Sequence, residues 1–102
     1  GHVPVSAAQS VDGGFALTVS GDSMIEDGIL DGDTIIVDPK RTPRKGDVVV
    51  ALVDDEATVK HYVPHGQLVE LRPANANLEP MFFPAGSVQI QGVVTGLQRR
   101  FA

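Results

Sequence analysis

Two residue types set the chemistry open to this chain. Ser23 lies in the run Val19-Ser20-Gly21-Asp22-Ser23-Met24, and Lys60 follows 37 positions later, closing Ala57-Thr58-Val59-Lys60. A serine hydroxyl is a weak nucleophile near neutral pH and needs a base to take its proton. A lysine amine can be that base once it is neutral, and withdrawal from water lowers its pKa towards that state. Lys60 has Val59 before it and Ala57 close by, and it is the only Lys or Arg between Lys45 and Arg72. Ser23 and Lys60 are thus a candidate Ser-Lys dyad for acyl transfer.

Each residue also has a plainer reading. Ser23 suits a turn or the N-cap of a short helix. At such a start the backbone N–H groups of Ser23 and Met24 would point outward, where they could hold an oxyanion. Lys60 suits a strand edge, where lysine discourages pairing with another chain. Alternation sets Thr58, Lys60 and Tyr62 on one face and Ala57, Val59 and His61 on the other. Both faces carry apolar surface, so the pattern leaves the burial of Lys60 open.

The segments that must position the pair read as strands: short, β-branched runs bounded by Gly, Pro or Asp. They are Phe15 to Val19, Thr34 to Val37, Asp47 to Val53, Ala57 to Tyr62, Gln67 to Arg72 and Val88 to Leu97. The run from Asp47 is almost continuously apolar, as in a strand covered on both faces. Asp54-Asp55-Glu56 reads as a hairpin connection, and only Asp22 to Ile29 suggests a short helix, ended by Gly28. Val88 to Leu97 carries so few charges that it reads as an uncovered edge on which a second copy could pair. Many short strands with almost no helix predict an all-β, partly closed barrel.

Composition narrows the function. The 102 residues fit one domain, with residues 1–14 set apart by small residues and Gly13-Gly14 as a hinge, and 15–102 forming the folded unit. There is no cysteine, so disulfides and thiolate metal sites are excluded. Eight Lys and Arg against 13 Asp and Glu give a net charge of −5, which argues against this segment gripping a phosphate backbone. The basic residues Lys40, Arg41, Arg44 and Lys45 are interleaved with prolines and read as a solvated loop. No run is long enough to span a bilayer and none resembles a secretory signal, so the expected setting is cytoplasmic, with no membrane partner.

Other candidates are weaker. His61 and His65 invite a metal reading, but Val63-Pro64 separates them and no acidic residue is near in sequence, so no metal and no cofactor is expected. Asp31, Asp33 and Asp38 lack the spacing of a calcium loop and suit turns and strand caps. Gly21 suits a sharp turn or close approach by a substrate backbone. Asp22 reads as solvent-facing. Leu78-Glu79-Pro80-Met81-Phe82-Phe83-Pro84 reads as core packing, with a partner-binding surface as the alternative.

The ordered set Val19-Ser20-Gly21-Asp22-Ser23-Met24, Gly28-Ile29, Asp31-Gly32-Asp33, Ile36-Val37, Gly46 to Ala51 and Glu56 to Lys60 resembles the peptidase domain of LexA-type repressors. Leu71-Arg72-Pro73-Ala74-Asn75 and Gly92-Val93-Val94-Thr95-Gly96-Leu97 extend the resemblance, which covers Phe15 to Arg99. It implies the LexA/signal-peptidase-like β-barrel, with Ser23 as nucleophile, Lys60 as general base and the Ser23 and Met24 amides as oxyanion hole. It further implies cleavage of an Ala-Gly-type bond in the chain's own preceding segment, triggered by a RecA-type recombinase filament on single-stranded DNA during the SOS response. A homodimer is implied too, with DNA contacted only through an N-terminal domain absent from this segment. The family usually places the scissile bond further ahead of the serine than Gly1 lies, so the segment is shortened, missing or already cut, with Gly1 as one possible product end. A mutagenesis-polymerase accessory subunit of the same superfamily would share the dyad. A non-catalytic β-barrel dimerisation module would share only the fold. A type I signal peptidase would need a membrane anchor.

Overall fold

Among the described residues, seven strands of four to ten residues, β-branched above all in the second and third, pair into one antiparallel sheet. A computed structural model describes residues 13–100; the residues 1–14 read as a separate region fall almost wholly outside that range. The strands are β1 (Phe15–Thr18), β2 (Thr34–Asp38), β3 (Val48–Val53), β4 (Glu56–His65), β5 (Leu68–Arg72), β6 (Met81–Pro84) and β7 (Gln89–Gln98). Their spatial order is β1-β2-β7-β3-β4-β5-β6, so β1 and β6 are the edges of a half-barrel. Among the described residues, helix is limited to two 3-10 turns, Ile25–Asp27 and Ala85–Ser87.

The alternation of β3 gives the sheet two apolar faces. Val50 packs with Val19, Met24, Ile35, Val37 and Val59 on one side. Val49 and Ala51 pack with Val69, Leu71 and Val93 on the other. The continuous apolar run therefore belongs to a strand covered on both faces, as its sequence predicts. Asp54 and Asp55 form the two-residue loop joining β3 to β4, both at positive φ (50° and 62°). Two positive φ values in a row match the twist of the flanking strands.

The curl of the sheet has a local origin in β7. Its register shifts against β2 between Ile36 and Val37, and against β3 between Val50 and Ala51. Each irregularity adds twist and bends the strand. Gly92 lies between them, where an added Cβ would stand 2.5 Å from Val37 Cγ1 and 2.9 Å from the Asp38 oxygen. Only glycine lets β2 and β7 approach this closely.

Three expectations need correction. Val88 to Leu97 is no uncovered edge: β7 is hydrogen-bonded to β2 on one side and β3 on the other. The expected helix over Asp22 to Ile29 shrinks to the single 3-10 turn, whose N-cap is Met24 and not Ser23. Gly28 does end it, at φ 76°. Finally, Leu78 to Pro84 is not core as a whole. Met81–Pro84 forms the edge strand β6, with Phe82 56% exposed and Leu78 43% exposed. Phe83 alone packs against the second apolar cluster.

Candidate active site

Lys60 lies within β4, paired with β3 on one side and one residue short of the β4–β5 ladder, which begins at His61. Its cross-strand partner is Val49, a fully buried residue, and its own side chain is half-buried. That burial lowers the Lys60 pKa, because the ammonium loses hydration without a compensating charge. The amine nitrogen Nζ lies 3.2 Å from Ser23 Oγ and 2.6 Å from Thr58 Oγ1. Thr58 shares the Lys60 face, two positions back along the strand. As an ammonium, Lys60 donates to both hydroxyls. As a neutral amine it can keep donating to Thr58 while its lone pair accepts the Ser23 proton, which is the arrangement general-base catalysis requires.

Ser23 comes from the turn between β1 and β2. Gly21 enters that turn at φ 85°, and a Cβ there would meet nothing within 4 Å. The glycine is thus needed for its backbone conformation. Its N–H donates to Asp31 Oδ1 at 2.7 Å. Met24, 1% exposed, anchors the turn in the first apolar cluster. Asp22 faces solvent, as expected from its sequence setting.

Residues 73–77 hold the other side of the turn, and nothing in the sequence assigns them that task. The Asp22 carbonyl accepts the side-chain amide of Asn75, and the Ser23 carbonyl accepts the Ala74 N–H at 2.8 Å. Glu26 adds its N–H to the Ala74 oxygen at 2.8 Å, and its carboxylate accepts the Ala76 N–H at 2.7 Å. In a planar trans peptide the C=O and N–H point in opposite directions. Tying down the Asp22 and Ser23 oxygens therefore aims the Ser23 and Met24 N–H groups away from this loop. Among the described residues, neither N–H donates to a protein acceptor.

Ser23 and Lys60 open onto a groove of about 530 Å³, walled by Leu17, Val53, Met81 and Phe83 among others. Both edge strands contribute, β1 through Leu17 and β6 through Met81 and Phe83. An extended peptide can pair with an exposed strand edge while its side chains fill apolar pockets.

The remaining candidates resolve into structural roles. Asp31 caps the Gly21 turn, Asp38 accepts the Lys40 N–H at 2.9 Å, and Asp33 takes two hydrogen bonds from Arg99. The two candidate histidines each meet a carboxylate: His61 meets Asp27, 34 positions earlier, and His65 meets Glu70, five positions later, at 2.8 Å. No group of three His, Cys, Asp or Glu among the described residues could hold a metal ion. No helix among the described residues is long and apolar enough to cross a membrane.

A serine hydroxyl beside a desolvated lysine amine, on a groove in an all-β half-barrel, has the parts of a serine peptidase. A model of the family described as Peptidase S24-like matches residues 2–95. The chain is 52% identical over 88 residues to the LexA repressor of Moorella thermoacetica, covering 86% of this chain and 42% of that protein. It is 43% identical over 100 residues to the LexA repressor of Thermotoga neapolitana, covering 98% of this chain and 48% of that protein. The chain belongs to the Peptidase S24-like family, as a domain of the LexA type. It spans less than half the length of these relatives.

Proposed function

We propose that this chain is the self-cleaving endopeptidase domain of a LexA-like repressor, with Ser23 as nucleophile and Lys60 as general base. The observation that carries the reading is the 3.2 Å approach of Lys60 Nζ to Ser23 Oγ. Neutral Lys60 takes the hydroxyl proton as Oγ bonds to the scissile carbonyl carbon. The Ser23 and Met24 N–H groups hold the resulting oxyanion. The intermediate collapses, the C–N bond breaks, and Lys60 returns the proton to the leaving amine. Water then opens the Ser23 ester with Lys60 again accepting a proton.

The substrate in this reading is an Ala-Gly-type bond in the chain's own preceding segment, laid as an extended strand along the groove. Relatives named as repressors support a role in SOS transcription control, with DNA bound through a separate N-terminal domain. A RecA-type filament on single-stranded DNA is the proposed trigger, and a homodimer the proposed assembly. These relatives favour a repressor over a polymerase accessory subunit.

The test is incubation of the full-length protein at alkaline pH with mass spectrometry of the fragments. Wild type should yield two fragments that meet at one bond ahead of the domain, and Ser23→Ala should yield none. The Ser23→Ala domain should keep its stability within about 0.5 kcal/mol, since only one partly exposed hydroxyl is lost. Undiminished cutting by Ser23→Ala would remove the nucleophile assignment. A helix-turn-helix upstream would mark the repressor.

A further inference from the structure

Two side-chain hydrogen bonds join the Ser23 turn to β4 among the described residues. One is the dyad's own, and the other runs from His61, next in sequence to Lys60, to Asp27 in the 3-10 turn that follows Met24. The second ring nitrogen of His61, Nδ1, bonds the Gly46 carbonyl oxygen at 2.7 Å. His61 therefore ties together the nucleophile turn, the segment leading into β3 and the strand that carries the base.

Both partners of this imidazole are acceptors. A carbonyl oxygen cannot donate, and an ionised carboxylate only accepts. Neutral histidine has one N–H and one lone pair, so it can satisfy only one of the two. Keeping both bonds takes one further proton, shared between Nε2 and the Asp27 carboxylate. The nearby charges do not replace it. Arg72, opposite His61 on β5, is held by Glu70 at 2.7 Å. Beside Gly46, the Asp47 carboxylate accepts the Arg44 N–H at 2.8 Å, and Arg44 and Lys45 are exposed. Glu26 bonds the Ala76 N–H, and Lys60 lies on the other face of β4. The His61 side chain is 26% exposed, so its proton can exchange with solvent.

We propose that His61 and Asp27 form a proton-dependent latch that holds the Ser23 turn against β4, making both of them positioning residues for the dyad. The latch rests on the reading of Ser23 and Lys60 as the catalytic pair. Its two sides respond to pH in opposite senses. Rising pH frees the Lys60 lone pair and at the same time removes the proton that closes the latch.

The test has two arms on this chain. In the first, NMR follows the His61 ring nitrogens and the Ser23 and Met24 amides as pH rises. Both ring nitrogens should carry protons at the acid end, and the two amides should shift with the His61 midpoint. In Asp27→Asn the amide shifts should no longer follow His61, because the asparagine side chain can offer Nε2 an N–H without an added proton. Ser23 and Met24 amides that stay still through the His61 titration would overturn the latch. This arm needs no cleavage, so it stands even if the proposed activity fails.

In the second arm, the chain cuts an added Ala-Gly peptide. His61→Ala and Asp27→Ala should each lower kcat up to about tenfold, the effect of one lost hydrogen bond, with KM little changed. The double variant should be no slower than either single one. The deficit of His61→Ala should shrink as pH rises, since wild type then loses the latch too. Wild-type rates in both alanine variants at every pH, or a deficit independent of pH, would overturn the proposal. A wild type that cuts nothing would instead remove the activity, leaving the latch to the NMR result.

Discussion

Asn75 donates its side-chain amide across 3.0 Å to the backbone carbonyl of Asp22, 53 positions earlier in the chain. Its side-chain oxygen accepts the Asn77 N–H at 2.9 Å, so both ends of a residue only 6% exposed are satisfied. Removing one partner of a buried hydrogen bond costs more than the bond contributes, because the other partner is left without water. Asn75→Ala should lower stability by about 1–3 kcal/mol, read from denaturant midpoints. Asn75→Asp should cost at least as much, since it sets a carboxylate oxygen against the Asp22 carbonyl. Both should also slow cleavage by freeing the peptide that aims the Ser23 N–H. A variant as stable and as fast as wild type would contradict this.

Lys60 supplies the pH dependence. A lysine amine has an ordinary pKa of about 10.4, and burial lowers it here. The neutral fraction grows as pH rises, so cleavage should accelerate with pH, more steeply in His61→Ala, which has no latch to lose, than in wild type. Lys60→Arg should be inactive throughout, since a guanidinium stays protonated. Rates from pH 6 to 10 in both proteins check this. The same shift carries a stability cost. The folded state holds the lysine proton less tightly than the unfolded state, so Lys60 weakens folding below its lowered value and that penalty fades as pH rises through the interval up to about 10.4. Lys60→Met should therefore raise the melting temperature near neutral pH while abolishing cleavage.

Two buried carboxylates set the acid limit. Arg99 holds the Asp33 carboxyl below its usual value by donating to both oxygens, at 2.8 and 2.7 Å, against the opposing effect of burial. Arg72 and then His65 do the same for Glu70, again against burial. A lowered folded value means stability that is complete above the ordinary carboxylate range, about pH 4, and lost as pH falls through the lowered values. Asp33→Asn should flatten part of that acid loss, and Glu70→Gln another part. Melting temperatures from pH 7 to 2 check this, and an unchanged acid slope in both variants would count against it.

How far the sequence reached depended on how local each signal was. Ser23 and Lys60 stood out as a candidate pair through the ordered motifs that resemble the LexA-type family, since the strand pattern alone left the burial of Lys60 open. The β3 run Val48–Val53 was legible because burial on both faces forces continuous apolarity. The partner of His61 was not, since Asp27 lies 34 positions away and only folding brings them together, whereas Glu70, five positions from His65, was overlooked although the β4–β5 hairpin sets it nearby. Edge strand β6 was missed because Pro80 and Pro84 bracket Met81 to Phe83, which resembles a loop. The scarcity of charge in Val88 to Leu97 was a true signal with the wrong cause. It reflects neighbours on both sides and not an edge awaiting one. Strand order follows from no pattern within a single strand.

The place of β7 in the sheet has a consequence for the order in which the protein assembles. β1 and β2 flank the turn bearing Ser23, whereas Lys60 belongs to the contiguous β3-to-β6 meander, and β7 alone joins the two halves by strand pairing. Of the seven described strands, β7 is also the last to leave the ribosome. Until Gln89–Gln98 emerges, the two parts of the nascent chain have no shared ladder, and closing it requires contacts distant in sequence, which form late. The strand ladder that sets Ser23 beside Lys60 is thus complete only once β7 has paired. A chain that stops short of β7 carries the two residues without the strand ladder that joins their halves of the sheet.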